Sequence, residues 1–264
     1  MSSLEALWLG IVQGLTEFLP VSSSGHLVML QSLLGVEEEG GLLFEVAVHV
    51  ATLIAIVIFF HRRVSGLVVG ALRGQPEAWR YGMKLALGTV PAVVVALLGG
   101  ERLQLGLESP WLAGSCLLAT GAILWTTRTT LPRARLEEPG WGAVLLIGCA
   151  QAFAILPGIS RSGTTVAAAL ALGIAPGPAA EFSFLLGIVA ITGAAVLMLP
   201  QLAQASPDQI ASIGIGGAAA LVSGLLAIWL FIWLLRRQTF YVFSYYAWTV
   251  GALFLAWLVF RGGS

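Results

Sequence analysis

Gly10-Ile-Val-Gln13-Gly-Leu-Thr-Glu17-Phe-Leu-Pro20-Val-Ser22-Ser23-Ser24-Gly25-His26 returns 138 residues later as Gly148-Cys-Ala-Gln151-Ala-Phe-Ala-Ile155-Leu-Pro157-Gly158-Ile-Ser160-Arg161-Ser162-Gly163-Thr164. Without a gap, Gln13 falls on Gln151, Ser22 on Ser160, Ser24 on Ser162 and Gly25 on Gly163, and the same shift later sets Phe44 on Phe182. Each copy is an apolar run of about ten residues, a Pro and Ser/Gly-rich break, and a second short apolar run, and neither run is long enough to cross a bilayer alone. The copies differ in charge: one carries Glu17 and His26, the other Arg161, which falls on Ser23. Two halves of one polar site are the natural reading.

Composition places that site in a membrane. The chain is 58% hydrophobic and 10% charged, with a mean hydropathy of +0.93, values that suit a polytopic membrane protein. A formal net charge of zero removes the basic footprint of a nucleic-acid binder. Cys116 and Cys149 stand alone in apolar stretches without metal or redox spacing and read as core residues. Glu5, Gln13 and Glu17 interrupt the first apolar run, so no cleavable signal peptide is expected.

Six stretches, 42–60, 85–99, 111–127, 182–199, 210–235 and 247–260, read as spans. Ten of the thirteen basic residues cluster in alternate connections: Arg62, Arg63, Arg73, Arg80 and Lys84 in a loop 61–84, Arg128, Arg133 and Arg135 in 128–139, and Arg236 with Arg237. The opposite side holds Arg102, Arg261 and the acidic run Glu37, Glu38 and Glu39. The positive-inside rule makes the first group cytoplasmic and puts both termini outside. Three spans lie between the repeats, so they have opposite orientation. The expected fold is one all-α membrane domain, 1–264, in two inverted halves. Residues 1–135 hold a re-entrant hairpin 4–34 and three spans, and 136–264 a re-entrant hairpin 140–173 and three more.

Backbone broken at membrane depth is tolerated where protein or a water-filled cavity satisfies its polar groups. Half-helix N-termini meeting there offer N–H donors and a positive dipole end, which suit anions. Ser-Ser-Ser-Gly and Ser-Arg-Ser-Gly at the two helix starts make a phosphate cradle. Charge inside a bilayer costs about 2.5–3.5 kcal/mol on insertion scales, so Glu17 and Arg161 should face the interior.

The segments 13–26 and 156–165 resemble the two signature motifs of the undecaprenyl-pyrophosphate phosphatases, also called bacitracin-resistance proteins, and the resemblance runs over essentially the whole chain. It implies hydrolysis of a C55 isoprenoid pyrophosphate to the monophosphate carrier and inorganic phosphate at the outer face of the bacterial inner membrane. It also implies dependence on a divalent cation, Mg2+ or Ca2+, for which Glu17 is the candidate ligand. A homo-oligomer is left open. One departure is Gln13, where many members of that family carry Glu.

Phosphoryl transfer needs a nucleophile, a base and positive charge on the equatorial oxygens. Ser23 is the expected nucleophile, because it pairs with Arg161 under the repeat and should face it across the pseudo-two-fold axis. Arg161 clamps the phosphate, Glu17 takes the serine proton or orients the imidazole, and His26 protonates the leaving phosphate or activates the water that clears a phosphoenzyme. Gln13, four residues before Glu17 and on its helix face, joins Ser22, Ser24, Gly25, Gly158, Ser160, Ser162, Gly163 and Thr164 as the substrate-binding set, with at least one serine spent as a helix cap. His49 and Glu45 could line the same cavity. Direct attack by water with Glu17 as base stays open, as does a lipid flippase or secondary transporter built on the same anion site.

Overall fold

A computed structural model describes residues 2–34, 41–107, 109–202 and 207–262. Glu37, Glu38 and Glu39, and the side chains of Glu45 and Arg102, lie outside the described residues. Among those described the chain is all helical, with one isolated bridge between Leu136 and Ile174. The helices are α1 (Ser3–Phe18), α2 (Ser23–Leu34), α3 (Gly41–Phe59), α4 (His61–Leu72), α5 (Pro76–Leu107), α6 (Pro110–Thr130), α7 (Trp141–Phe153), α8 (Arg161–Ala171), α9 (Pro176–Leu202), α10 (Pro207–Arg236) and α11 (Phe243–Gly262).

Four segments are long and apolar enough to cross a membrane, Pro76–Gly99, Pro176–Gly193, Ile210–Arg236 and Phe240–Arg261, and a fifth arises if α3 and α4, bent by 81° at Phe60, count as one. With 21 residues α6 has the length of a span, but Thr120, Thr126, Thr127, Arg128, Thr129 and Thr130 dilute its hydropathy.

The stretch 61–84 is not the expected loop. It forms α4 and the first turns of α5. Basic residues mark a membrane boundary without forbidding a helix, since Arg and Lys are good helix formers. The turn after α4 is a Schellman motif: Gly74, with φ of 71°, donates to Ala71 C=O at 3.0 Å and Gln75 to Gly70 C=O at 2.8 Å, a geometry that needs left-handed backbone at Gly74. Pro76 then opens α5 at a position where its missing N–H costs nothing.

The chain divides into two compact units. Unit 1 comprises Met1–Phe18, Glu38–Ala86 and Phe184–Phe231, and unit 2 comprises Leu19–Glu37, Leu87–Ser183 and Ile232–Ser264. In unit 1, α1 and α10 touch backbone to backbone. A Cβ on Gly10 would strike the Gly216 carbonyl, and one on Gly14 would strike Ser223 and Ala220, so small residues let the helices close up. Contacts climb both helices together, so the two run parallel. Ala6, Phe44, Val48, Ala51 and Ala220 form a core there. Phe18, Phe60 and Phe231 each meet Phe184 with ring centroids 5.1–5.7 Å apart.

In unit 2, Gly114 of α6 packs on Leu255 of α11, and Gly121 on Trp248. As α6 numbering rises that of α11 falls, so this pair is antiparallel. Trp248 Nε1 donates to Leu118 C=O at 3.1 Å, and Trp125, Tyr241, Tyr245 and Trp248 form an aromatic cluster of the kind found at membrane–water interfaces. Helices α7 and α8 form a hairpin whose ends meet: Leu136 N–H donates to Gly173 C=O and Ala175 N–H to Leu136 C=O, both at 2.8 Å. Cys116 is buried, but Cys149 is exposed, against the expectation of two core cysteines. The buried face of α7 is Val144, Ile147, Gly148, Gln151 and Ala152. Cys149 lies about 100° round from Gly148, and in a membrane helix both faces are apolar, so composition does not separate them.

Candidate functional site

The two sequence repeats fold the same way at their breaks. Ser22 precedes α2 and its Oγ accepts from Gly25 N–H at 3.3 Å, while Ser160 precedes α8 and its Oγ accepts from Gly163 N–H at 3.2 Å. Both are N-caps, satisfying a donor that a helix start leaves unpaired. Each capping hydroxyl also lies near the serine two residues on, Ser22 and Ser24 at 3.4 Å and Ser160 and Ser162 at 3.3 Å. Ser23 and Arg161 therefore occupy the same place, the first residue of a helix.

The breaks are also in contact within unit 2. Ser22 Oγ accepts from Gly158 N–H at 3.1 Å. A Cβ on Gly25 would lie 2.6 Å from Gly158 Cα, and one on Gly163 would lie 2.8 Å from Pro20 Cβ. Under the repeat Gly25 corresponds to Gly163 and Gly158 to Pro20, so each half presses its glycine on the other's counterpart residue. Gly158 has φ of 93°, a conformation that glycine adopts without penalty. Ser22 has φ of 66°, where a side chain is strained, and such strain concentrates at functional sites.

Thr120 of α6 clamps the second break. Its hydroxyl donates to Gly158 C=O at 2.6 Å and accepts from Ser160 N–H at 3.0 Å, and the residue is fully buried. Thr165 donates to Arg161 C=O at 2.8 Å and pairs with Ser183. Thr164 Oγ1 and the Gln151 amide are buried without a hydrogen-bond partner among the described residues.

His26 is held at both nitrogens. Nδ1 lies 2.8 Å from Ser22 C=O, and Nε2 lies 2.8 Å from the Tyr246 hydroxyl. In unit 1, Gln13 Nε2 donates to Glu17 Oε2 at 3.2 Å, and His49 Nε2 lies 3.7 Å from the same oxygen. The Glu17 side chain is 8% exposed, so its charge is sheltered, and the amide and imidazole are among the groups that compensate it.

The family of the bacitracin resistance protein BacA matches residues 6–253 of this chain. The chain belongs to the BacA family. It is 38% identical to the undecaprenyl-diphosphatase of Desulfatibacillum aliphaticivorans over 97% of its own length and 98% of the relative's. It is 39% identical to that of Geobacter sulfurreducens over 99% and 100%, and 39% identical to that of Carboxydothermus hydrogenoformans over 97% of each.

In this BacA-family chain the expected site residues fall into two local groups. Gln13 and Glu17 lie together in unit 1, and Ser22, Ser23, Ser24, Gly25, His26, Gly158, Ser160, Arg161, Ser162, Gly163 and Thr164 lie in unit 2. Ser22 and Ser160 are buried caps, Ser23, His26 and Arg161 are half-buried, and Ser24 is exposed. Thr120 and Tyr246 were not legible as site residues. A threonine in an apolar helix and a tyrosine in an aromatic-rich one carry no local pattern that points to a partner far along the chain. His49, weighed from its place in the span 42–60, does meet Glu17.

Proposed function

We propose that this protein hydrolyses undecaprenyl pyrophosphate to undecaprenyl phosphate and inorganic phosphate in the bacterial inner membrane, at a site open to the periplasmic side. In this role it recycles the lipid carrier for cell-wall synthesis and confers bacitracin resistance. The observation that carries the reading is the contact of two serine-capped helix starts through Ser22 and Gly158. It sets Ser23 and Arg161 on the first turns of helices whose N-termini adjoin, and such ends favour phosphate. The BacA family and the near-full-length undecaprenyl-diphosphatase relatives agree with it.

In the proposed mechanism Ser23 Oγ attacks the terminal phosphorus and its proton passes to a base, for which the sequence offers Glu17. The bond to the bridging oxygen breaks, prenyl monophosphate departs, and water then cleaves the phosphoserine to release inorganic phosphate. Arg161, the helix N–H groups and the Thr164 hydroxyl hold the equatorial oxygens. His26 supplies or takes a proton through Nε2, the nitrogen not bound to the Ser22 carbonyl. Among the described residues no three of His, Cys, Asp or Glu converge, so Mg2+ or Ca2+ would meet the protein through Glu17 and the substrate's own phosphates. When bound it would offset phosphate charge.

For the architecture we infer six spans, α3, α5, α6, α9, α10 and α11, with re-entrant hairpins α1–α2 and α7–α8, in inverted halves 1–135 and 136–264 and with both termini outside. The antiparallel pairing of α6 with α11, the parallel pairing of α1 with α10 and the Leu136–Ile174 closure each agree with that topology.

The test is phosphate release from a long-chain prenyl pyrophosphate by purified protein, wild type against Glu17→Gln, Ser23→Ala and Arg161→Ala. Near-total loss in all three supports the reading. Undiminished hydrolysis by Ser23→Ala removes the covalent step in favour of direct water attack. No hydrolysis by wild type with Mg2+ or Ca2+ present removes the phosphatase, and lipid transport becomes the function to assay.

A further inference from the structure

The carbonyl of Ser22 only accepts hydrogen bonds, so His26 Nδ1, 2.8 Å away, carries the hydrogen. In the neutral ring Nε2 is then a lone-pair acceptor, and the group 2.8 Å from it is the hydroxyl of Tyr246, which donates. The rings are nearly parallel, 14° apart in plane with centroids separated by 5.8 Å. Two hydrogen bonds and a stacked face thus hold one imidazole. Tyr245, the preceding residue, instead meets Trp125 and Trp248, so adjacent tyrosines of α11 serve different neighbours.

We propose that Tyr246 is a positioning residue for His26. Its hydroxyl donates to Nε2 and so holds the resting imidazole in place as the Nδ1–H tautomer, leaving Nε2 the nitrogen that exchanges a proton once substrate takes the hydroxyl's place. Tyr246 is 44% exposed and His26 half-buried, so the pair lies at the edge of its unit rather than in its core. The hydrogen bond at one imidazole nitrogen sets the role of the other, so the Ser22 carbonyl at Nδ1 selects Nε2 and Tyr246 holds the ring's orientation from the Nε2 side. The inference rests on His26 belonging to the hydrolytic site proposed above.

Tyr246→Phe keeps the ring and removes only the hydroxyl. The expected result is a roughly tenfold fall in kcat with KM within about twofold, because general acid–base catalysis contributes roughly 10²–10⁴-fold and misorientation forfeits part of it. In a His26→Gln background the same change should have no further effect on kcat, since residues acting through one another are not additive. Equal loss in both backgrounds, or a change in KM alone, overturns the proposal. An unaltered kcat in His26→Gln overturns it by removing His26 from the reaction.

A spectroscopic arm is independent of activity. The chain has 3 histidines, so 15N-labelled imidazole signals can be assigned with His26→Gln. Wild type should show the Nδ1–H tautomer with a hydrogen-bonded Nε2, and Tyr246→Phe should move Nε2 toward a free lone pair. An Nε2 signal unmoved by Tyr246→Phe overturns the proposal whatever the kinetics. Absence of hydrolysis in wild type beside the expected 15N shifts would instead locate the error in the phosphatase reading.

Discussion

Replacing Gly25 with alanine tests whether the two breaks work as one unit. The new Cβ would lie 2.6 Å from Gly158 Cα and 2.7 Å from its nitrogen, whereas carbon atoms rest at about 3.5–4.0 Å. Both obstacles are backbone, so no rotamer relieves them, and the start of α2 must withdraw from Gly158 by roughly 1 Å. The bond from Gly158 N–H to Ser22 Oγ, now 3.1 Å, does not survive that movement. Overpacking of this kind costs about 1–3 kcal/mol, and the unpaired buried N–H a further ~1–3 kcal/mol, for a total of about 2–6 kcal/mol. A displacement of roughly 1 Å between Ser23 and the phosphate-holding groups should also lower kcat by about 10²-fold. The assays are thermal unfolding in detergent and phosphate release. Gly66→Ala is the control, since a Cβ there meets nothing within 4 Å and a helical Gly→Ala change gains up to about 1 kcal/mol. Wild-type stability and rate in Gly25→Ala would refute the close approach of the breaks, and a loss shared by Gly66→Ala would refute its specificity.

Thr120→Val keeps the shape of the clamp and deletes both bonds to the second break. It should destabilise the chain by about 2–4 kcal/mol, read as a lower midpoint of thermal unfolding, with activity reduced even where the protein remains folded. Arg161→Lys keeps the charge but not the planar fork, so KM should rise roughly tenfold. An unchanged KM would take Arg161 off the phosphate. A chelator should abolish phosphate release, and Mg2+ or Ca2+ should restore it; activity indifferent to chelation would count against the cation.

The repeat and its helix caps were legible because capping is local. Ser22 and Gly25, like Ser160 and Gly163, sit at the spacing at which a side-chain oxygen reaches the third N–H of a helix. The contact between the breaks was legible only as a suspicion of symmetry, because nothing in either motif states which atoms touch. Thr120 and Tyr246 act on residues far away in sequence, and a single hydroxyl in an apolar run gives no sign of its partner. Helix α4 falls within the expected loop 61–84 because Arg62, Arg63 and Arg73 mark a membrane boundary, although the spacing of Val64, Leu67, Val68, Ala71 and Leu72 suits one face of a helix. Cys149 shows a limit peculiar to membrane proteins, where an apolar position tells little about whether protein or lipid covers it.

The mirrored breaks are unequal at one atom. Gly158 gives its N–H to Ser22, but its counterpart Pro20 has no hydrogen on nitrogen to give in return. A dimer of identical half-length chains would make both junctions alike, each pinned or each unpinned. Two diverged copies in one polypeptide allow the second break to take both holds, the latch of Gly158 on Ser22 and the grip of Thr120 on Gly158 and Ser160. That inequality gives the chain a fixed left and right that two identical halves would lack.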